Sequence, residues 1–211
     1  MVIWDSIANT LSQKEREAED VNSVIGYKAR VLSILIPKYV AKLARFNIAL
    51  VAVNQLRDQI QIGTFTPAKE MKFMPSGKDM PGGNILKFNA FQMLYMKVKS
   101  AVDPKKLGFD GQIVEVNCIK NKLFMPNVPI QIVGNFVTGF NNFWTNYNFL
   151  VETKRLTSGA WNYLVTLPSK KFRTIDVDIL YKDDPAFKTA FDEAVKEAIQ
   201  KEIIERNTVP I

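Results

Sequence analysis

Six consecutive apolar residues, Ile48 to Val53 (IALVAV), narrow most sharply what this chain can become. A run of that length without polar alternation reads as a strand buried on both faces, the condition of a parallel sheet covered by helices. A suitable helix precedes it. From Tyr27 to Phe46 apolar side chains recur at helical spacing, with Val31, Leu35, Tyr39 and Leu43 four apart, and Pro37 predicts a kink. A second β-type run, Val2-Ile3-Trp4, opens abruptly and ends at Asp5-Ser6, as in a core whose earlier part is missing. The expected class is α/β.

After Asn54-Gln55, the 26 residues from Leu56 to Pro81 hold Gly63, Pro67, Pro75 and Gly77 and no sustained period. Irregular segments of that length are uncommon in compact domains unless they serve a function or are disordered. Strands are expected at Ala90 to Val98, Gln112 to Lys122 and Val128 to Val133, followed by an aromatic-rich stretch, Phe136 to Phe149. A boundary near Glu152 would separate a main domain, residues 1–151, from a small α+β unit, residues 152–211. That unit would hold short strands around Trp161 to Leu167. A long helix follows, with Asp184 as N-cap, Pro185 at the first helical position, and an apolar stripe of Phe187, Phe191, Val195, Ile199 and Ile203.

Composition excludes several chemistries. With no histidine and the single Cys118, the chain has no internal disulfide, no thiolate or imidazole zinc site, and no Ser-His or Cys-His nucleophile. Carboxylates, lysine, arginine and amides remain. A net charge of +7 favours anionic partners, nucleic acid or nucleotide phosphates. No apolar run approaches the roughly 20 residues of a membrane span, so no membrane partner and a cytoplasmic location are expected.

Each candidate residue has a functional and a plain reading. Asp5, at a strand end before a hydroxyl residue, matches the carboxylate beside a nucleotide-bound Mg²⁺, or simply an aspartate entering a turn. Asn54-Gln55 suits phosphate sensing, or the bonding of loose backbone groups. The long loop interleaves Arg57, Lys69, Lys72 and Lys78 with Phe65, Phe73 and Met74, a pattern for phosphate contact and base stacking that a solvated loop shares. Pro81-Gly82-Gly83-Asn84 allows close backbone approach to a ligand, or an ordinary helix entry. Lys120 and Lys122, two apart on a strand, place two ammonium groups on one face, for a bound anion or for solvent. The G-x-x-x-x-G-K-[ST] phosphate loop is missing: Gly77-Lys78 is preceded by Lys72 where the first glycine belongs and followed by Asp79.

Taken in order, the segments Val2-Ile3-Trp4-Asp5-Ser6-Ile7-Ala8, Gly26-Tyr27-Lys28-Ala29-Arg30, Asn54-Gln55-Leu56-Arg57, Gly82-Gly83-Asn84-Ile85-Leu86-Lys87-Phe88, Lys120-Asn121-Lys122 and Gly159-Ala160-Trp161 resemble the bacterial and phage RecA recombinases over essentially the whole chain. The resemblance implies the rear half of a RecA-like P-loop ATPase core sheet with a small α+β C-terminal domain, one proposed in the family to guide double-stranded DNA. It makes Asp5 the Walker B carboxylate, holding Mg²⁺ through water, and Gln55 the sensor of the terminal phosphate of ATP. Gln13 to Ile25 becomes the first DNA-binding loop and Leu56 to Pro81 the second. Arg30, Ser33, Lys38, Arg57, Ile60, Lys69, Lys72, Lys78, Gly82, Gly83 and Asn84 then fall among the DNA contacts. Lys120 and Lys122 fall where the family reaches a neighbouring subunit's ATP across a filament interface.

Three departures accompany the resemblance. Pro37 stands where the family carries a basic DNA contact, shifting that contact to Lys38. The second loop is longer than usual. The oligomerisation segment, the P-loop and the water-activating glutamate would all precede residue 1, so this polypeptide alone is not expected to hydrolyse ATP. Two functions follow as expectations. One is a split recombinase whose P-loop half is a separate chain, forming a homo- or hetero-oligomeric filament on single-stranded DNA. The other is a non-catalytic module that binds single strands or modulates a host filament. A truncated gene product is the plainer possibility.

Overall fold

A computed structural model describes residues 1–20, 24, 26–58 and 72–205. In chain order the elements are β1 (Val2–Trp4), α1 (Gln13–Glu17), α2 (Tyr27–Arg45), β2 (Leu50–Ala52), β3 (Arg57–Asp58), β4 (Lys78–Asp79), α3 (Asn84–Asn89), β5 (Gln92–Ala101), α4 (Pro104–Leu107), β6 (Gly111–Asn121), β7 (Pro129–Asn135), β8 (Gly139–Phe140), α5 (Asn142–Glu152), β9 (Asn162–Leu164), β10 (Leu167–Phe172), α6 (Val177–Asp183) and α7 (Pro185–Ile199). The mixture of helices, one parallel pair and antiparallel sheets agrees with an α/β fragment. Two compact units emerge, Met1–Met93 and Leu94–Ile211.

In the first unit β1 and β2 pair in parallel, with Val2 opposite Leu50, Ile3 opposite Val51 and Trp4 opposite Ala52. A small core forms from Ile7, Leu32 and Ile36, with Trp4, Ile85 and Leu86 against it. The burial expected for the IALVAV run is corrected here. Val51 is 46% and Val53 41% exposed, because β2 belongs to a sheet of only two strands among the described residues. Helix α2 runs through Pro37 without interruption. The proline removes one intrahelical donor, the one that would meet the Ser33 carbonyl. The charged segment after Leu11 begins α1, which a capping box starts: the Ser12 N–H donates to Glu15 Oε2 at 2.9 Å, and the Glu15 N–H to Ser12 Oγ at 3.2 Å.

The second unit is built on a four-stranded sheet in the order β5-β6-β7-β8. Strands β6 and β7 pair antiparallel from Gly111 opposite Asn135 to Asn117 opposite Pro129. Its large core joins Val133, Trp144, Tyr147 and Leu150 to Leu156, Leu164, Phe172, Val177, Phe187 and Phe191. The boundary expected near Glu152 therefore falls inside this unit. Its physical reason is α5, whose apolar face packs into the same core as the elements that follow it. The aromatic-rich stretch turns out to be β8 and α5, with Asn141 Oδ1 accepting from the Trp144 N–H at 3.1 Å to start the helix.

Helix α7 begins as expected. Asp184 Oδ1 accepts from the N–H groups of Ala186 and Phe187, both at 3.0 Å, and Pro185 takes the first position. Of the expected stripe, Phe187, Phe191 and Val195 are buried, whereas Ile199 is 38% exposed. The helix then widens into a π-type turn, Gln200–Glu205.

Two outcomes are expected. Phe187→Ala removes a fully buried ring packed edge-on to Phe172 and should lower unfolding free energy by about 3 to 5 kcal/mol in urea titration. The Asp184 carboxyl lies below its ordinary range, held there first by the bond from Lys170 and then by the Phe187 N–H. Its depressed folded value means that its contribution is present above the unfolded value and lost as pH falls through the folded one. Urea midpoints of the wild type should therefore fall between about pH 6 and about pH 2 more than those of Asp184→Asn, which keeps a capping oxygen but no charge.

Candidate functional site

The parallel ladder of β1 and β2 continues past the strands themselves. The Val53 N–H donates to the Trp4 carbonyl at 2.9 Å and the Ile7 N–H to the Val53 carbonyl at 3.0 Å. Asp5 and the Asn54-Gln55 pair consequently leave neighbouring strands at the same, carboxyl end, where open α/β sheets bind ligands. Asp5 is exposed and makes no ion pair among the described residues. Behind it Ser6, Ile7 and Ala8 are buried. The Ser6 hydroxyl is buried without a hydrogen-bond partner among the described residues. A carboxylate facing solvent at the end of a parallel strand fits a hydrated Mg²⁺, which keeps several waters and takes one or two carboxylates.

Asn54 and Gln55 separate into different tasks. Asn54 Nδ2 donates to the Pro81 carbonyl at 2.8 Å, and its Oδ1 accepts from the Gln55 N–H at 3.0 Å. This amide therefore braces backbone, fastening the start of the Gly82-Gly83 turn to the end of β2. The Gln55 side chain is exposed at that strand end. Gly82 and Gly83 have φ of 100° and 76°, and a Cβ on Gly82 would stand 2.6 Å from Leu86 Cδ1, one on Gly83 2.9 Å from Ala29 Cβ. Gly83 is required by the close approach of the turn to α2, and Gly82 by its positive φ and its packing between Leu86 of α3 and Leu32 of α2. Asn84 is exposed as the first residue of α3.

Lys28 adds a brace that its sequence position does not announce. Its Nζ donates to the Ala8 carbonyl at 3.0 Å and the Ile7 carbonyl at 3.5 Å, holding the turn after Asp5 against α2. The signal available was a lysine in the first turn of an amphipathic helix, and such a residue is ordinarily solvated.

The mouth of the long loop is a two-residue antiparallel pair, Arg57 opposite Asp79 and Asp58 opposite Lys78. Lys78 Nζ sits 2.6 Å from Asp58 Oδ1 and Lys87 Nζ 2.6 Å from Asp79 Oδ1. The Lys78 ammonium holds the Asp58 carboxyl below its usual range. Much of the basic charge at the mouth is thus matched by carboxylates, which leaves Arg57 exposed. Lys72 lies with Nζ 5.0 Å from the Phe73 ring centroid. Ile60 and Lys69 fall outside the described residues. On α2, Arg30, Ser33 and Lys38 are exposed. The Ser33 hydroxyl donates to the Arg30 carbonyl at 2.6 Å, so the helix itself uses it.

Lys120 and Lys122 belong to the second unit, at the end of β6 and just beyond it. Lys120 is half-buried, and desolvation first, then the charge of Lys122, pushes its pKa down. Two mutually repelling ammonium groups are relieved when an anion binds them.

Comparison with known proteins bears on these segments together. A family model described as the RecA N-terminal domain matches residues 1–141. Protein RecA of Thermus thermophilus is 30% identical over 128 residues, covering 60% of this chain and 34% of the relative. Protein RecA of Mycoplasma mobile is 25% identical over 203 residues, covering 96% of this chain and 58% of the relative. Protein RecA of Aquifex pyrophilus is 31% identical over 127 residues, 60% of this chain and 33% of the relative. The chain thus spans between a third and three fifths of the length of these curated relatives. The family model covers about two thirds of the chain, in line with these relatives: the chain belongs to the RecA family.

Proposed function

We propose that this chain is the rear half of a RecA-type recombinase core. In this reading it works with a separate P-loop-bearing chain in an ATP-dependent filament on single-stranded DNA, for homologous pairing and strand exchange. The observation that carries the reading is the shared carboxyl end of β1 and β2, where the Asp5 carboxylate and the Gln55 amide are both exposed beside the braced Gly82-Gly83 turn. The exposed Asp5 carboxylate would hold the water shell of Mg²⁺. With ATP bound through the other chain, the ion would supply charge neutralisation on the phosphates. Gln55 would report the terminal phosphate to the loop that starts at Leu56, because no element separates the two in sequence. Lys120 and Lys122, crowded on one strand end, would meet phosphate charge at a subunit interface.

DNA would be held by the loop rather than by a groove reading base edges, so binding should be independent of sequence and strongly dependent on salt. Arg57, Lys72 and the lysines beyond them supply the charge, with Arg30 and Lys38 on the exposed side of α2.

Two experiments test this. In a mixture with a P-loop-bearing RecA fragment and single-stranded DNA, ATP turnover should appear. Asp5→Asn or Gln55→Ala should abolish it while leaving DNA binding by the chain within about twofold. Turnover unaffected by either change would remove these residues from the nucleotide site. For DNA, Lys69→Ala and Lys72→Ala should flatten the log-log salt dependence of binding by about 0.7 for each phosphate no longer neutralised. Lys78→Ala should do less, because Asp58 already holds that ammonium. Salt-sensitive binding with no gain from the fragment and ATP would instead identify a non-catalytic single-strand-binding module.

A further inference from the structure

Two carboxylates stand among the lysines at the foot of the long loop, in different surroundings. Strands β3 and β4 set Asp58 directly opposite Lys78, and Lys78 Nζ lies 2.6 Å from Asp58 Oδ1. This pair faces water: the Asp58 side chain is 85% and the Lys78 side chain 40% exposed. Asp79, the next residue along β4, turns instead to α3. Its Oδ1 lies 2.6 Å from Lys87 Nζ and accepts from the Met80 N–H at 2.8 Å. The Lys87 side chain is only 11% exposed.

Burial decides what each pair can do. A cross-strand pair of opposite charges in water is worth up to about fivefold in an equilibrium constant, so the Lys78 ammonium changes partner readily. The inner pair does not. An ammonium as covered as that of Lys87 is out of a phosphate's reach, and removing Asp79 would leave its charge uncompensated. Strand β4 is pinned on either side of these residues as well. The Lys78 N–H donates to the Pro75 carbonyl at 3.3 Å, and Asn54 holds the Pro81 carbonyl. The strand therefore stays in place while its water-facing pair exchanges.

From this we infer that Asp58 is a built-in competitor of DNA phosphate. In the free chain it holds Lys78, and a phosphate must displace it before that lysine can neutralise DNA. The Lys87–Asp79 pair is the fixed anchor beside which the exchange occurs. Once displaced, the Asp58 carboxylate stays within a side chain's length of the phosphate and repels it. Both effects lower affinity, so an acidic residue keeps the chain's hold on single strands weak and reversible. The inference rests on the proposed binding of single-stranded DNA and adds to it an autoinhibitory contact.

The test is titration of the full chain with a fluorescent oligothymidylate across a salt series, alone and with the P-loop fragment and ATP. At about 0.1 M salt, where charges more than about 10 Å apart are largely screened, Asp58→Asn should tighten binding about three- to fivefold. Its log-log salt slope should steepen by about 0.7, because Lys78 then neutralises a phosphate in full. Glu193→Gln removes an equal charge from an exposed position on α7 and should change affinity by less than about 1.5-fold. In a Lys78→Ala background the gain from Asp58→Asn should vanish. Asp79→Asn should lower the thermal midpoint without tightening binding. Unchanged affinity in Asp58→Asn, a gain that survives Lys78→Ala, or an equal gain from Glu193→Gln or Asp79→Asn overturns competition at Lys78. If Lys69→Ala and Lys72→Ala still flatten the slope in that case, the recombinase reading stands without it. No single-strand binding under any condition overturns both.

Discussion

Two backbone hydrogen bonds, from the Val53 N–H to the Trp4 carbonyl and from the Ile7 N–H to the Val53 carbonyl, hold the candidate nucleotide end together. They keep β1 and β2 in parallel register beyond the last paired residues, and the rest of the first unit is fastened to that junction. Lys28 ties the turn after Asp5 to α2, and Asn54 ties the glycine turn to β2. Gly82 and Gly83 let the turn lie against α2, and Leu86 then reaches the core of Ile7, Leu32 and Ile36. None of these braces uses the Asp5 carboxylate or the Gln55 amide. The groups free to meet a ligand are held by others that are fully occupied.

The second unit solves a different problem. Its stability comes from an aromatic core in which Phe143, Trp144, Tyr147, Tyr181, Phe187 and Phe191 meet with ring centroids 4.9 to 6.2 Å apart, in mostly tilted or edge-on contacts. One polar chain runs beside it around the buried Asn162, from the exposed Gly159 to the half-buried Thr174 and the Tyr147 hydroxyl, 3.4 Å beyond. Each group in that chain has a partner, which is the condition under which burying an amide is tolerated. The result is a firm base for both the β9–β10 face and α7.

Legibility in the sequence followed the range of the forces involved. Local signals served well: Asp184-Pro185 opened α7, Gly82-Gly83 took positive φ, and the strands at 92–101, 111–121 and 129–135 lay close to their apolar runs. Family membership was legible because several short motifs kept their order. The burial of Ile48 to Val53 was not, because an apolar run reports what a strand prefers and not how many neighbours it has. That Glu152 lies within a unit sharing one core was not legible for a similar reason. A polar residue closing α5 looks like a linker until Trp144 and Leu150 are seen packed with Phe187 and Phe191. Salt bridges such as Lys78 with Asp58 join residues 20 apart in sequence, and no spacing rule anticipates them.

The exposed parallel pair has a colloidal consequence. Val2, Ile3, Val51 and Val53 are 41 to 61% exposed on two strands that carry no further strand among the described residues. Unpaired strand edges with apolar side chains are templates for self-association. What opposes it at long range is mutual repulsion between molecules of net charge +7, and that repulsion extends only about 8 Å at physiological ionic strength. Added salt therefore acts twice on this chain. It weakens the attraction to phosphates, and it lets copies approach one another along the very strands that present Asp5 and Gln55.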